Sequence, residues 1–203
     1  MPVVLATRNA HKLREFRRLL PGIALEPLPD DVELPPETGE TFAENALEKA
    51  RAAAAATGVP ALADDSGIEA EALGGRPGVR SARYAGPAAT DAENLDRLRS
   101  EAPPGSGLRY VCVVAYVAPG EEPRLAEGTC AGRMAEAPRG ERGFGYDPIF
   151  VPDDGDGRRT MAELSDEEKD AISHRGRAAR ALLAWLLGRN EAAAATGASE
   201  GDG

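Results

Sequence analysis

The sequence predicts an α/β fold, a mixed central sheet with flanking helices, on three observations. Strand-like apolar runs and helix-like amphipathic runs alternate through the N-terminal part of the chain. Two longer strand-like runs, residues 108–118 and 123–131, flank the turn Pro119-Gly120-Glu121-Glu122 and read as a hairpin. The chain has 203 residues, 42% of them hydrophobic, enough for one well-buried core. Strand–helix–strand order followed by a hairpin calls for a sheet with both parallel and antiparallel pairs.

Residues 3–6 form a short apolar strand, and residues 9–20 a helix with Leu13, Phe16, Leu19 and Leu20 on one face. Residues 23–28 read as a weaker strand, and Pro35-Pro36-Glu37-Thr38-Gly39 as a loop. Thr41-Phe42-Ala43-Glu44 matches a capping box and opens an alanine-rich helix to about Thr57. Residues 59–63 then read as a buried strand ending on an acidic turn, Asp64-Asp65-Ser66-Gly67. Residues 74–90, rich in Gly, Pro and Ala, are expected as an ordered loop, and residues 91–99 as a helix. Ser165-Asp166-Glu167-Glu168 is a second capping-box match, and residues 178–187 form a final amphipathic helix with Leu182, Leu183, Trp185 and Leu186. The domain is therefore expected over residues 1–188. Residues 189–203 hold no large apolar side chain and are expected as a disordered tail.

The charge balance narrows the partners. With 24 Lys+Arg against 34 Asp+Glu, the net charge of −10 argues against broad binding to nucleic acid or an anionic membrane, though not against a local basic pocket. No apolar run approaches the ~20 residues that span a bilayer, and the N-terminus lacks the basic and apolar regions of a signal peptide. Cys112 and Cys130 are too few and too far apart for a disulfide scaffold or a CxxC motif, and read as small core residues in a reducing cytoplasm. With only His11 and His174 as histidines and no HExxH pattern, a zinc site is disfavoured, as are a serine hydrolase and a P-loop NTPase.

Four segments can carry chemistry. Side chains alternate along a strand, so Asp64 and Asp65 should face different ways, one bracing the structure and one facing a ligand. Carboxylates at a strand end suit a hard cation such as Mg²⁺; the plainer reading is a solvated polar turn. Thr7-Arg8-Asn9-Ala10-His11-Lys12 joins the first strand to the first helix, where free N–H groups and Lys12 could cradle phosphate; the alternative is an ordinary N-cap. Gly143-Phe144-Gly145-Tyr146-Asp147-Pro148 offers close backbone approach, a ring for stacking and an acceptor for ring N–H groups, or else a tight turn with core aromatics. Lys169 and Ser173-His174-Arg175-Gly176 could meet phosphate or a carbonyl oxygen, or lie solvated at a helix start.

Taken together, these segments resemble the signature motifs of the inosine/xanthosine triphosphate pyrophosphatases. Thr7-x-Asn9-x-x-Lys12 is similar to the family's opening motif and Thr41-Phe42-Ala43-Glu44-Asn45-Ala46 to its second. The stretches from Ala63 to Gly67 and from Gly74 to Gly86 resemble its longest signature. The Gly143 to Phe150 and Leu164 to Gly176 stretches complete the set in family order. Departures are slight: Arg8 stands where a small residue is common, and the C-terminal tail is extra.

The resemblance implies hydrolysis of ITP, dITP or XTP to the monophosphate and pyrophosphate with Mg²⁺, by a cytoplasmic homodimer with two lobes around a deep nucleotide cleft. By position it implies that Thr7, Arg8, Asn9, Ala10, His11, Lys12 and Lys169 hold the triphosphate. It makes Asp65 the proton acceptor and a metal contact, with Glu37 a second metal ligand and Asp64 a supporting carboxylate. Ser66, Phe144, Gly145, Tyr146, Asp147, His174 and Arg175 would contact the nucleotide. Two alternatives stand beside this reading: a pyrophosphatase for modified pyrimidine or methylated nucleoside triphosphates, and a catalytically silent nucleotide-binding module.

Overall fold

Period-two alternation sorts the apolar side chains of the strands onto two faces. Val3, Leu5 and Leu62 fall in one buried cluster, whereas Val4, Ala6, Ala61 and Ala63 fall in another. The computed structural model describes residues 2–199, with side chains described through Arg189. Its elements in chain order begin with β1 (Val3–Leu5), α1 (Ala10–Leu19), β2 (Leu25–Pro27), α2 (Phe42–Thr57) and β3 (Ala61–Ala70). They continue with α3 (Asp91–Glu101), β4 (Gly107–Val117), β5 (Arg124–Met134), β6 (Phe150–Pro152), α4 (Asp166–Ile172) and α5 (His174–Ser199). The strands form one six-stranded sheet in the order β2-β1-β3-β4-β5-β6. β1 pairs in parallel with β2 and β3, and the remaining pairs are antiparallel, so the sheet is mixed as expected.

Helices cover both faces. On one, Phe16, Leu19 and Leu20 at the end of α1 and Ala178, Ala179, Leu182 and Leu186 of α5 pack on Leu62, Cys112, Val114 and Tyr116. On the other, Phe42, Ala46, Ala50 and Ala53 of α2 pack on Ala61, Ala63, Val111, Val113 and Ala115. A third cluster around Ile68, Leu98, Tyr110, Ile149 and Phe150 fills the far end of the long strands. Both cysteines are buried and free, in keeping with a core role.

The capping residues act as the sequence predicts. The Asn9 side chain accepts from the His11 and Lys12 N–H groups, and reciprocal capping boxes form at Thr41/Glu44 and Ser165/Glu168. The segment at residues 74–90 contains a short 3-10 turn, Gly78–Arg83.

One boundary is corrected. Asp64-Asp65-Ser66-Gly67 is not a turn but the middle of β3, which stays in register with β4 from Ala61↔Val117 to Ala70↔Leu108. The chain turns only at residues 71–75, where Gly74 and Gly75 have φ of +63° and +90°. Gly67 serves close approach instead: a Cβ there would stand 2.5 Å from the Gly78 carbonyl oxygen and 2.5 Å from Ser81 Oγ. The final helix also starts earlier than expected and its backbone is helical to Ser199. The tail expected over 189–203 thus falls on the last turns of α5 and, at 200–203, outside the described residues.

Candidate active site

Because β3 runs straight through the acidic pair, its two carboxylates leave the sheet on opposite faces. Asp65 shares the α2 face with Ala63 and Val113, and Asp64 shares the α1/α5 face with Leu62 and Val114. Asp65 Oδ2 accepts from Asn45 Nδ2 at 2.8 Å and Oδ1 from the Ser66 N–H at 2.9 Å. Asp64 Oδ2 meets Lys12 Nζ at 3.0 Å and Arg175 Nη2 at 3.2 Å, while its Oδ1 has no partner.

These environments separate the two acids chemically. Burial raises the Asp65 carboxyl, the Glu37 charge adds to the rise, and Lys49 and Asn45 only partly oppose it, leaving it above the ordinary aspartate value. Burial would raise Asp64 too, but the Lys12, Arg175 and Lys49 cations outweigh it and hold that carboxyl below the usual range. Asp64 is therefore a fixed anion, and Asp65 is the acid able to take a proton.

Asp65 lines a cavity of about 320 Å³, at the small end of the range for ligand sites. Thr7, Arg8, Asn9 and Lys12 line it from the β1–α1 junction, and Glu37 and Lys49 from the α2 side. Phe144, Gly145, Tyr146 and Asp147 line it from the loop before β6, and Lys169, His174 and Arg175 from α4 and α5. Ser66 lines it beside Asp65. Ala10 and His11 do not line it; His11 instead packs its ring 5.3 Å from that of Phe144.

Several of these groups already have partners. Arg8 donates to the carbonyls of Leu28, Pro29 and Val32 and so clamps the loop after β2. Glu37 accepts from Lys49 Nζ at 2.5 Å, and Lys49 also donates to the Asp64 carbonyl at 2.7 Å. Asp147 accepts from Lys169, Tyr110 and the Phe144 N–H, so its carboxylate braces the loop. Tyr146 donates to the Ser81 carbonyl. Lys169 and Arg175 reach a common acceptor, Glu15, at 2.8 and 2.6 Å.

His174 and Arg175 are buried rather than solvated, 5% and 2% exposed. The His174 ring stacks on Tyr110 at 4.4 Å, and burial, with the nearby Arg175 and Lys169 cations, pushes it well below the ordinary imidazole value. It is neutral at pH 7 and its Nδ1 has no partner. Arg175 spends Nη2 on Ser66 and Asp64 and Nη1 on Glu15, leaving Nε unpartnered. Both unpartnered atoms are enclosed within the protein.

Glu37 and Asp65 fit a divalent cation of the Mg²⁺ type, which is held by one or two carboxylates together with substrate phosphates and water. They share the cavity, and the charge of one raises the carboxyl of the other, a repulsion that a cation would relieve. Among the described residues no group of three or more His, Cys, Asp or Glu side chains forms a metal cluster.

Sequence reasoning missed Asn45, Lys49 and Glu15. A signal for the first two was present: Phe42, Asn45, Ala46, Lys49, Ala50 and Ala53 form one buried stripe at helical spacing, and two of its members are polar. Glu15 follows Lys12 by three residues and precedes Phe16, beside the apolar face of α1.

A model of the Ham1 family matches residues 3–185. A dITP/XTP pyrophosphatase of Symbiobacterium thermophilum is 53% identical over 188 residues, covering 91% of this chain and 94% of the relative. A dITP/XTP pyrophosphatase of Cutibacterium acnes is 48% identical, covering 93% and 98%. Among solved structures, a HAM1 protein from Coxiella burnetii superposes with a TM-score of 0.80 at 43% identity, covering 92% of this chain and 98% of that one. A nucleoside-triphosphatase / dITP/XTP pyrophosphatase from Mycobacterium abscessus does so with a TM-score of 0.71 at 47% identity, covering 90% and 99%.

Proposed function

The chain belongs to the Ham1 family, and from that premise we propose that it is a nucleoside-triphosphate pyrophosphatase. It hydrolyses non-canonical purine nucleoside triphosphates, ITP, dITP and XTP, to the monophosphate and pyrophosphate. The observation that carries the reading is the pairing of an acid with a raised pKa, Asp65, with Lys12, Lys169 and Arg175 around one cavity.

In-line attack on the α-phosphorus needs a positioned water, a base and positive charge on the leaving pyrophosphate. Asp65 is the base: Asn45 and the Ser66 N–H fix its carboxylate, and a free lone pair takes the proton from the water. Mg²⁺, held by Glu37 and Asp65 with the triphosphate, would supply positive charge against the phosphoryl oxygens. Lys12, with Thr7 and Asn9 beside it on the cavity wall, receives the triphosphate, and Lys169 adds a second cation. Lys12 would exchange part of its contact with Asp64 for phosphate, and Asp64 would remain charged through Arg175.

Base choice is a hydrogen-bond problem. Phe144 offers a flat face, and Arg175, a donor-only side chain on the cavity wall, suits the 6-keto oxygen of hypoxanthine or xanthine. Adenine presents an amino donor there, and a buried donor left unpaired costs about 1–3 kcal/mol. In our reading the enzyme is a cytoplasmic homodimer; among the described residues no helix is long and apolar enough to cross a membrane.

The test is a substrate panel read by pyrophosphate release. ITP, dITP and XTP should turn over well ahead of ATP and of modified pyrimidine or methylated triphosphates. Preference for a modified pyrimidine or methylated substrate would replace this reading, and ITP binding without turnover would indicate a silent binding module.

A further inference from the structure

Residues 28–41 join β2 to α2 without a helix or a strand, and none of residues 29–41 is buried. Within this segment the backbone bonds to itself once, from the Val32 N–H to the Pro29 carbonyl at 3.1 Å. A long connection with so little regular structure needs other restraints to keep one conformation. Side chains from outside the segment supply them. Arg8 Nη1 donates to the Leu28 carbonyl at 2.9 Å, and Nη2 to the carbonyls of Pro29, Asp30 and Val32 at 2.7, 3.3 and 2.8 Å. Farther along, Arg83 donates to the Glu37 carbonyl at 2.9 Å, and Asn45 Oδ1 accepts from the Gly39 N–H at 2.8 Å. The segment contributes Leu34 and Glu37 to the cavity wall.

We propose that Arg8 is a positioning residue: it fastens residues 28–32 to the β1–α1 junction and so holds the downstream Glu37 in place for the divalent cation. The proposal rests on the pyrophosphatase reading and deepens it. Lys49 and Arg83 fix Glu37 itself, whereas Arg8 fixes the approach to it from the other side of the cavity. Without Arg8 the Leu28 side chain, 3% exposed, would still anchor the start of the segment in the core. Residues 29–36 would lose the side chain that gathers their carbonyls. Metal binding would then have to order the segment first, and that cost weakens it.

A guanidinium suits this task. Its planar fork presents several donors in fixed directions, whereas an ammonium is a compact point charge. Arg8→Lys therefore keeps the charge and loses the clamp, which separates this role from direct contact with phosphate. The Arg8 side chain is 48% exposed, so its removal leaves no cavity in the core and the variants should fold.

The experiment compares the full chain with Arg8→Ala and Arg8→Lys in two measurements. Digestion of the protein alone by a glutamate-specific protease, read from fragment masses, follows cutting after the exposed Glu33. Pyrophosphate release at a fixed ITP concentration gives the Mg²⁺ concentration for half-maximal rate. Both variants should be cut after Glu33 about tenfold faster than the wild type, with cutting elsewhere unchanged. Their half-saturating Mg²⁺ concentration should rise by about tenfold, and lysine should restore little of either property. A raised KM for ITP that lysine restores, with native Mg²⁺ dependence, would make Arg8 a phosphate contact and overturn the proposal. Native cutting after Glu33 in Arg8→Ala overturns it as well. A wild-type chain without Mg²⁺-dependent turnover overturns the function reading and this inference with it. Mg²⁺-dependent turnover in the wild type, with the same Mg²⁺ requirement in Arg8→Ala, overturns the inference alone.

Discussion

Asp64 and Asp65 are adjacent in the chain, yet their carboxylates sit on opposite faces of β3 in opposite electrostatic states. Asp64 is wholly enclosed between Lys12 and Arg175 and held low, and Asp65 opens on the cavity beside Asn45 and is held high. The same substitution at the two positions should therefore have different effects.

Asp65→Asn removes the base and keeps the shape. Its turnover should fall on the order of 10²–10⁴-fold, with thermal unfolding close to that of the wild type. Pyrophosphate release paired with a melting curve checks both halves, and near-native ITP turnover in the variant would remove Asp65 from its role.

Asp64→Asn strips the counter-charge from two cations. Breaking a buried pair by removing one partner costs about 3–5 kcal/mol, so the variant should melt far below the wild type. The lowered Asp64 carboxyl also gives a pH signature. Its stabilisation is present above the ordinary aspartate value of 3.8 and is lost as pH falls below it toward the lowered one. Acid unfolding followed by circular dichroism should show this, and D64N should lack that component.

The base itself predicts a rate profile. Asp65 acts ionised and its carboxyl is raised, so kcat/KM should fall on acidification through a pKa above 3.8. The Lys49 charge lowers both Asp65 and Glu37, and Lys49→Met should move that acid limb to higher pH. A limb that stays in place would mean that Lys49 does not act on the base.

Gly128 of β5 lies directly beneath the start of α5. A Cβ there would press on the His174 carbonyl and the Ala178 N–H, both backbone groups that cannot swing aside. Gly128→Ala should lower stability by about 1–3 kcal/mol and raise KM for ITP, because it displaces the turn that carries His174 and Arg175. Unchanged melting and unchanged KM would show that α5 tolerates the shift.

Much of this was legible in the sequence, for reasons that are local. Alternation separated Asp64 from Asp65, and the Asn9, Thr41 and Ser165 caps announced their helices. What was not legible depends on pairing across the fold. Gly67 suggested a turn, but ten consecutive β3–β4 pairs carry the strand past it, and the glycine answers a close approach by Gly78 and Ser81. Lys169 and Arg175 stood out as cations, yet their shared acceptor Glu15 is more than 150 positions away along the chain. Burial likewise turned His174 from a surface residue into a neutral ring stacked on Tyr110.

On this reading the enzyme cleaves between the α- and β-phosphates of a non-canonical purine nucleotide. Product analysis after incubation of the full chain with ITP, with and without Mg²⁺, tests it most directly. IMP and pyrophosphate should appear in equal amounts, with product formation lost when the metal is chelated. IDP with inorganic phosphate, or no Mg²⁺-dependent product at all, would contradict it.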